Sequence, residues 1–258
     1  MKTRLAFATA ALLALAAPQA AAQSGAPPLD PTLEGQLERW LGAGDQIFEN
    51  VYTRQGAGDT SLDFHAAADG RGPTFTLLRV SDPAGRAWLV GGYNPQSWDS
   101  DDGWHITPRD FQRSAFIFNY TVPAVYRQVP VGFELPSQGS FQTFNALDQG
   151  PTFGAGPDLF VDDALDTALS WRLSYGDPAG EGRSIIDGSV GGRFFAIDTM
   201  EVYAVSPIPE PATAAMLAGG LVLVGLARLH ALAARRRPRR DERMEKGGPQ
   251  GPATNLSA

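Results

Sequence analysis

The chain has 258 residues, 43% hydrophobic and 19% charged, enough apolar content for one packed domain with attachments and too much for general disorder. Gly (29) and Pro (20) together form about 19% of it, favouring a turn-dense β-rich fold over a coiled coil or helical bundle, and zero Cys excludes disulfides, Cys-held metals and a thiol nucleophile. The formal charge of −7 hides an acidic body, residues 23–227, with 11 basic residues (all Arg) against 25 acidic ones, which argues against nucleic acid as a partner.

The chain opens with Lys2 and Arg4, an apolar run over 5–17, and Ala20-Ala-Ala22. A basic start, a short apolar stretch and small residues at −3 and −1 predict a secretory signal peptide over 1–22, cleaved by signal peptidase between Ala22 and Gln23. Residues 23–31 read as a Gly/Pro/Ala linker. Leu33, Leu37, Trp40 and Leu41 then fall at i, i+4, i+7 and i+8, which predicts a helix over 32–41. Strands are expected at 75–80, 87–90, 115–120, 141–145, 159–161, 170–175 and 194–205, short runs rich in aromatic and β-branched residues between turn formers. In 170–175, Trp171, Leu173 and Tyr175 alternate with Arg172 and Ser174, as on a strand with one dry face. The predicted core is Phe75, Leu77, Trp88, Phe116, Phe118, Trp171, Leu173, Phe195 and Ile197. The fold class expected for 32–205 is α+β, mainly β: a two-sheet antiparallel β-sandwich with peripheral helices.

The end of the chain reads differently. Residues 212–227 carry no charge and would span roughly 24 Å as a helix, short of the ~30 Å hydrocarbon core. Extension through Ala234, with Arg228 snorkelling, gives a single membrane helix. The Arg cluster beginning at Arg235 stays cytoplasmic and the acidic body outside. Residues 238–258 read as a basic, disordered cytoplasmic tail.

Pro209-Glu210-Pro211, the apolar run and Arg235, Arg236 and Arg237 together resemble the PEP-CTERM sorting tail of exopolysaccharide-producing Gram-negative bacteria, over about 208–237. The resemblance implies an exosortase-type sorting protease as partner, cutting near the Pro-Glu-Pro motif. It places the protein in the inner membrane first, then at the cell surface or in the extracellular matrix. In the body, Gly91-Gly92-Tyr93 with Ser97-Trp98, Phe116-Ile-Phe118, the loop Gly150-Pro-Thr-Phe153-Gly-Ala-Gly156-Pro-Asp158-Leu159 and Glu201-Val-Tyr203 stand in the order seen in TLDc domains. The chain resembles that family over about 33–205. This implies a β-sandwich and a role in oxidative protection or protein–protein contact, without agreed catalytic machinery.

Little in the body marks chemistry. The 150–158 loop lacks the spacing and the Lys of a phosphate loop, so its Gly and Pro read as turn formers and Asp158 as a cap for backbone donors. Gly91-Gly92 reads as a bulge or close backbone approach at the end of its strand. Asp99, Asp101 and Asp102 form a weak Ca²⁺ candidate, with a solvated acidic loop as the simpler reading. Trp98 and Trp104 beside it are either core residues or an aromatic platform. Gly188-Ser189-Val-Gly191 has the wrong spacing for a nucleophile elbow, and His65 and His105 read as packing or solvent-facing. No cofactor is expected. The function expected is a non-enzymatic binding or protective module of the envelope or exopolysaccharide matrix, with exopolysaccharide or an envelope protein as partner. The alternative is a carbohydrate-binding or weakly carbohydrate-active sandwich, its extreme a glycosidase built on two carboxylates.

Overall fold

The computed structural model describes residues 29–101, 103–131, 138–208, 221–224 and 228. The chain divides into two units, Met1–Ile208 and Pro209–Ala258. In the second, residues 221–224 are helical and exposed. Among the described residues no helix is long and apolar enough to cross a membrane; most of the expected 212–234 helix lies outside them.

The first unit begins with α1 (Pro31–Leu41), where the 3.6-residue spacing placed it. Asp30 caps it, its Oδ1 accepting from the N–H groups of Thr32 and Leu33 at 2.8 Å, and Gly42 closes it at φ +72°. Then follow β1 (Gln46–Thr53), α2 (Ser61–Ala68), β2 (Thr74–Ser81), β3 (Ala87–Asn94), β4 (Gly103–Ile106), β5 (Phe116–Asn119) and β6 (Ala124–Arg127). The chain continues through β7 (Phe141–Asn145), β8 (Thr152–Phe153), β9 (Phe160–Val161), β10 (Thr167–Leu169) and β11 (Phe194–Pro207).

Among the described residues the ladders form two antiparallel sheets. The larger, eight-stranded, runs β6-β5-β3-β2-β11-β10-β9, with β1 on the far half of β11, and curls into a half-barrel; the smaller is β4-β7-β8. Both faces of the larger sheet are covered. On one, Leu33 and Leu37 of α1 pack against Phe75, Leu77, Phe116 and Phe118. On the other, Leu78, Val90, Ile117 and Met200 meet Phe64 of α2, Trp98 and Phe153 of the smaller sheet. Burial on both faces explains why β2 is buried at consecutive positions from Thr74 to Leu78 rather than at alternate ones.

Three sequence expectations are corrected. The strand at 87–90 does not stop at Gly91 but runs to Asn94 in unbroken register with β2. Of the two roles expected for the glycines, close approach is the one found: a Cβ on Gly91 would overlap the Thr76 carbonyl, and one on Gly92 would lie 2.5 Å from the Phe153 ring. Residues 170–175 form no strand, because their backbone turns inward around a carboxylate. That turn buries Arg172 and Ser174, so Trp171 and Leu173 are only partly buried. Trp88 is partly buried too, packed edge-on against Phe195 beneath Arg86. The other six predicted core residues are buried.

Candidate functional site

The polar centre of the body is Asp158. Gly154, at φ +72°, and Gly156 bring the 150–158 loop back on itself, and a Cβ at either would collide with its surroundings. The Asp158 side chain thereby enters the interior, where Oδ1 accepts from the backbone N–H of Leu173 (2.7 Å), Ser174 (2.8 Å) and Tyr175 (2.8 Å). Oδ2 accepts from Gly156 N–H at 3.2 Å. Burial pushes the carboxyl up to about 6, while the four amides pull it down. Asp158 therefore caps backbone donors, as the loop sequence indicated. What the sequence did not show is that the donors lie at 173–175.

Tyr175 continues the network: its hydroxyl donates to the Gln142 carbonyl at 2.6 Å, and burial together with Asp158 holds it well above the usual phenol range. Asp158 and Tyr175 together thus tie residues 173–175 to β7 of the smaller sheet.

A second constellation has the look of hydrolytic chemistry. His105 on β4 stands opposite Thr143 on β7. Its Nε2 contacts Asp99 Oδ2 at 2.8 Å and its Nδ1 contacts Thr143 Oγ1 at 3.2 Å. In the tautomer with its proton on Nε2, the ring donates to the Asp99 carboxylate and Nδ1 accepts from the Thr143 hydroxyl. That is the order of a nucleophile, base and orienting acid. Thr143, however, is wholly buried, so no substrate reaches its hydroxyl. Sequence reasoning missed this alignment because β4 was not foreseen and register sets it.

His65, at the end of α2, is also internal. Its Nδ1 meets Asp69 Oδ1 at 2.8 Å, and its Nε2 meets the Ala146 and Gln149 carbonyls at 2.9 and 3.1 Å, fastening the turn after β7 to the helix.

Asp99 is engaged by His105 and by the N–H of Asp101, and Asp102 lies outside the described residues. Among the described residues no group of three or more His, Cys, Asp or Glu could hold a metal. Nor do the two tryptophans pair. Trp98 is buried and donates from Nε1 to Thr74 Oγ1 at 2.9 Å. Trp104 is 39% exposed and leans on Phe144 and Phe141, with ring centroids 4.6 and 5.1 Å away. The exposed aromatic shelf is thus Trp104 with two phenylalanines of the neighbouring strand. Ala22, Gln23, Pro209, Glu210, Pro211, Arg235, Arg236 and Arg237 lie outside the described residues.

Residues 37–206, about two thirds of the chain, match the TLDc domain. The chain belongs to the TLDc family. A comparison with curated proteins finds no match. The strings behind the resemblance occupy linked positions in the TLDc body. Gly91–Tyr93 lie in β3, Phe116–Phe118 in β5 and Glu201–Tyr203 in β11, all within the larger sheet, and the Gly-rich loop supplies Asp158.

Proposed function

We propose that this TLDc protein is an exported, surface-sorted module that binds or protects in the cell envelope or exopolysaccharide matrix without catalysing a reaction. One observation carries the non-enzymatic reading: in the Asp99–His105–Thr143 alignment the hydroxyl in the nucleophile position is wholly buried. Export is argued from the signal-like start and from the Pro-Glu-Pro neck, apolar run and Arg cluster, with a single membrane helix before sorting. In this reading the two sheets, joined through Phe153, act as a sandwich-like scaffold whose loops meet partners. Expression in a host with an exosortase, followed by fractionation, tests it. The reading requires the body outside the cytoplasm; full-length protein with Met1 intact in the cytoplasm refutes it.

The exposed shelf of Trp104, Phe141 and Phe144 favours a second reading, a carbohydrate-binding body. A glycan array with and without Ca²⁺ separates the two. Sugar binding abolished by Trp104→Ala supports the second; no bound glycan leaves the first.

A further inference from the structure

The larger sheet has one long bare edge. Beyond β6 the chain at 174–176 continues the pairing: Gly176 N–H donates to the Arg127 carbonyl at 2.7 Å, and Val129 N–H to the Ser174 carbonyl at 2.9 Å. β9, at another margin, is only two residues long. β1, by contrast, has eight residues and pairs with β11 alone; among the described residues no strand lies on its outer side.

Three hydrogen bonds decide which groups of β1 face outward. Ile208 N–H donates to the Asp45 carbonyl at 3.4 Å, one step past the Gln46–Pro207 pair. By antiparallel alternation Ile47 and Glu49 then also bond to β11, while the backbone groups of Gln46, Phe48 and Asn50 point away from it. Val205, opposite Phe48, has the matching phase: its N–H donates at 2.9 Å to Pro73, on its β2 side. So does Gln46, whose outward N–H is taken by Glu38 Oε1 of α1 at 2.8 Å. Among the described residues nothing caps the Phe48 and Asn50 groups in the same way. Nor does β1 carry the usual guards of an edge. It has no Pro and no Lys, its one charge is Glu49, and Ile47 on the same face is 46% exposed.

We propose that β1 pairs with β1 of a second copy, antiparallel about a twofold axis beside Phe48, joining two larger sheets into one. A second copy is the partner because the register is self-complementary. Phe48 stands opposite the partner's Phe48 and exchanges both backbone bonds with it. Asn50 N–H reaches the carbonyl of the partner's Gln46, so Gln46 N–H stays with Glu38. On one face the Phe48 rings adjoin, each already packed on Phe75 with centroids 5.7 Å apart. On the other face Ile47 lies opposite the partner's Glu49, so no like charges stand directly opposed. A short edge buries little area, which makes the dimer weak and concentration-dependent. The contact requires neither export nor a ligand.

The test is sedimentation equilibrium of the detergent-solubilised full-length protein, paired with amide hydrogen exchange over a concentration series. Dimer is expected to form as concentration rises, with the Phe48 and Asn50 amides gaining protection together. Ile47→Glu sets carboxylates against each other on both sides of the axis and should weaken association about threefold or more. Ile47→Lys, opposite Glu49, should tighten it by a similar factor. Ile47 is exposed, so both variants should melt near the native protein. Asn50→Pro removes an outward donor without touching the β11 ladder and should abolish the dimer, whereas Asn50→Ala keeps the donor and the dimer. The proposal is overturned if the protein stays monomeric at its highest soluble concentration, or if it associates without protecting Phe48 and Asn50. It is also overturned if the two Ile47 variants shift association in the same direction, or if Asn50→Pro associates as the native protein does.

Discussion

Oδ1 of Asp158 accepts the backbone N–H of Tyr175 at 2.8 Å, across seventeen residues of chain. With the amides of Leu173 and Ser174 on the same oxygen, this bond replaces the strand that side-chain alternation suggested. An internal acceptor outcompetes sheet pairing here because three consecutive donors gain a partially charged partner in the interior, where hydrogen bonds are strong.

The folded carboxyl titrates near 6, above its ordinary 3.8, so the native state holds its proton more tightly than the unfolded chain. Its stabilising contribution is therefore full below about pH 4 and lost as pH rises through about 6, a change of up to about 3 kcal/mol. Urea unfolding between pH 4 and 7 should show that slope in the native protein and not in Asp158→Asn. Parallel curves would refute the assignment. Asp158→Ala, which strands four amides, should cost about 4 kcal/mol or more.

Gly92 and Phe153 should behave as a coupled pair. Gly92→Ala places a methyl 2.5 to 2.8 Å from three ring carbons, an overpacking worth about 2–3 kcal/mol. Combined with Phe153→Leu, the loss should be clearly less than the sum of the single losses. An additive double-mutant cycle would show that the ring is not the obstacle.

Two tryptophans six residues apart should give very unequal losses in thermal melts. Trp98→Ala empties a buried site and orphans Thr74, at about 3–5 kcal/mol. Trp104→Ala removes a half-exposed ring and should cost about 1 kcal/mol. Equal losses would contradict the burial of one and the exposure of the other.

The proposed sorting route makes three measurable claims. The envelope protein should begin at Gln23, read by N-terminal sequencing. In an exosortase-bearing host, replacing Pro209, Glu210 and Pro211 with Ala should leave full-length, membrane-bound protein. Arg235, Arg236 and Arg237 replaced together should weaken retention. Unchanged processing of the altered neck would reduce the tail to an anchor.

Sequence patterning was most informative where one signal acted alone. The spacing of Leu33, Leu37, Trp40 and Leu41 located α1, and the aromatic and β-branched residues of 75–80 and 194–205 located the two central strands. It failed where tertiary partners decide. Half-exposed β1 carries no clean alternation, β4 alternates over only four residues, and two- and three-residue strands such as β8 and β10 are too short to have a period. The role of Asp158 as a cap was legible from its Gly- and Pro-rich setting, but its partners were not, since nothing in residues 173–175 marks their amides as inward-facing. Arg172 read as the polar face of a strand and proved buried for the same reason.

The longest strand of the body is also the last to be made. β11 pairs with β2 along one side and with β10 and β1 along the other, so β1 meets residues lying some 150 positions later. Until about residue 207 has been delivered, the larger sheet has a gap through its middle, and the groups meant to border it are bare. Whether the chain leaves a ribosome or a translocase, the larger sheet cannot close before β11 is available. Sequence separation of this order makes closure slow, so a holding chaperone has time to bind. A truncation that removes only the final strand should therefore leave no smaller folded core, because it takes away the piece to which both halves attach.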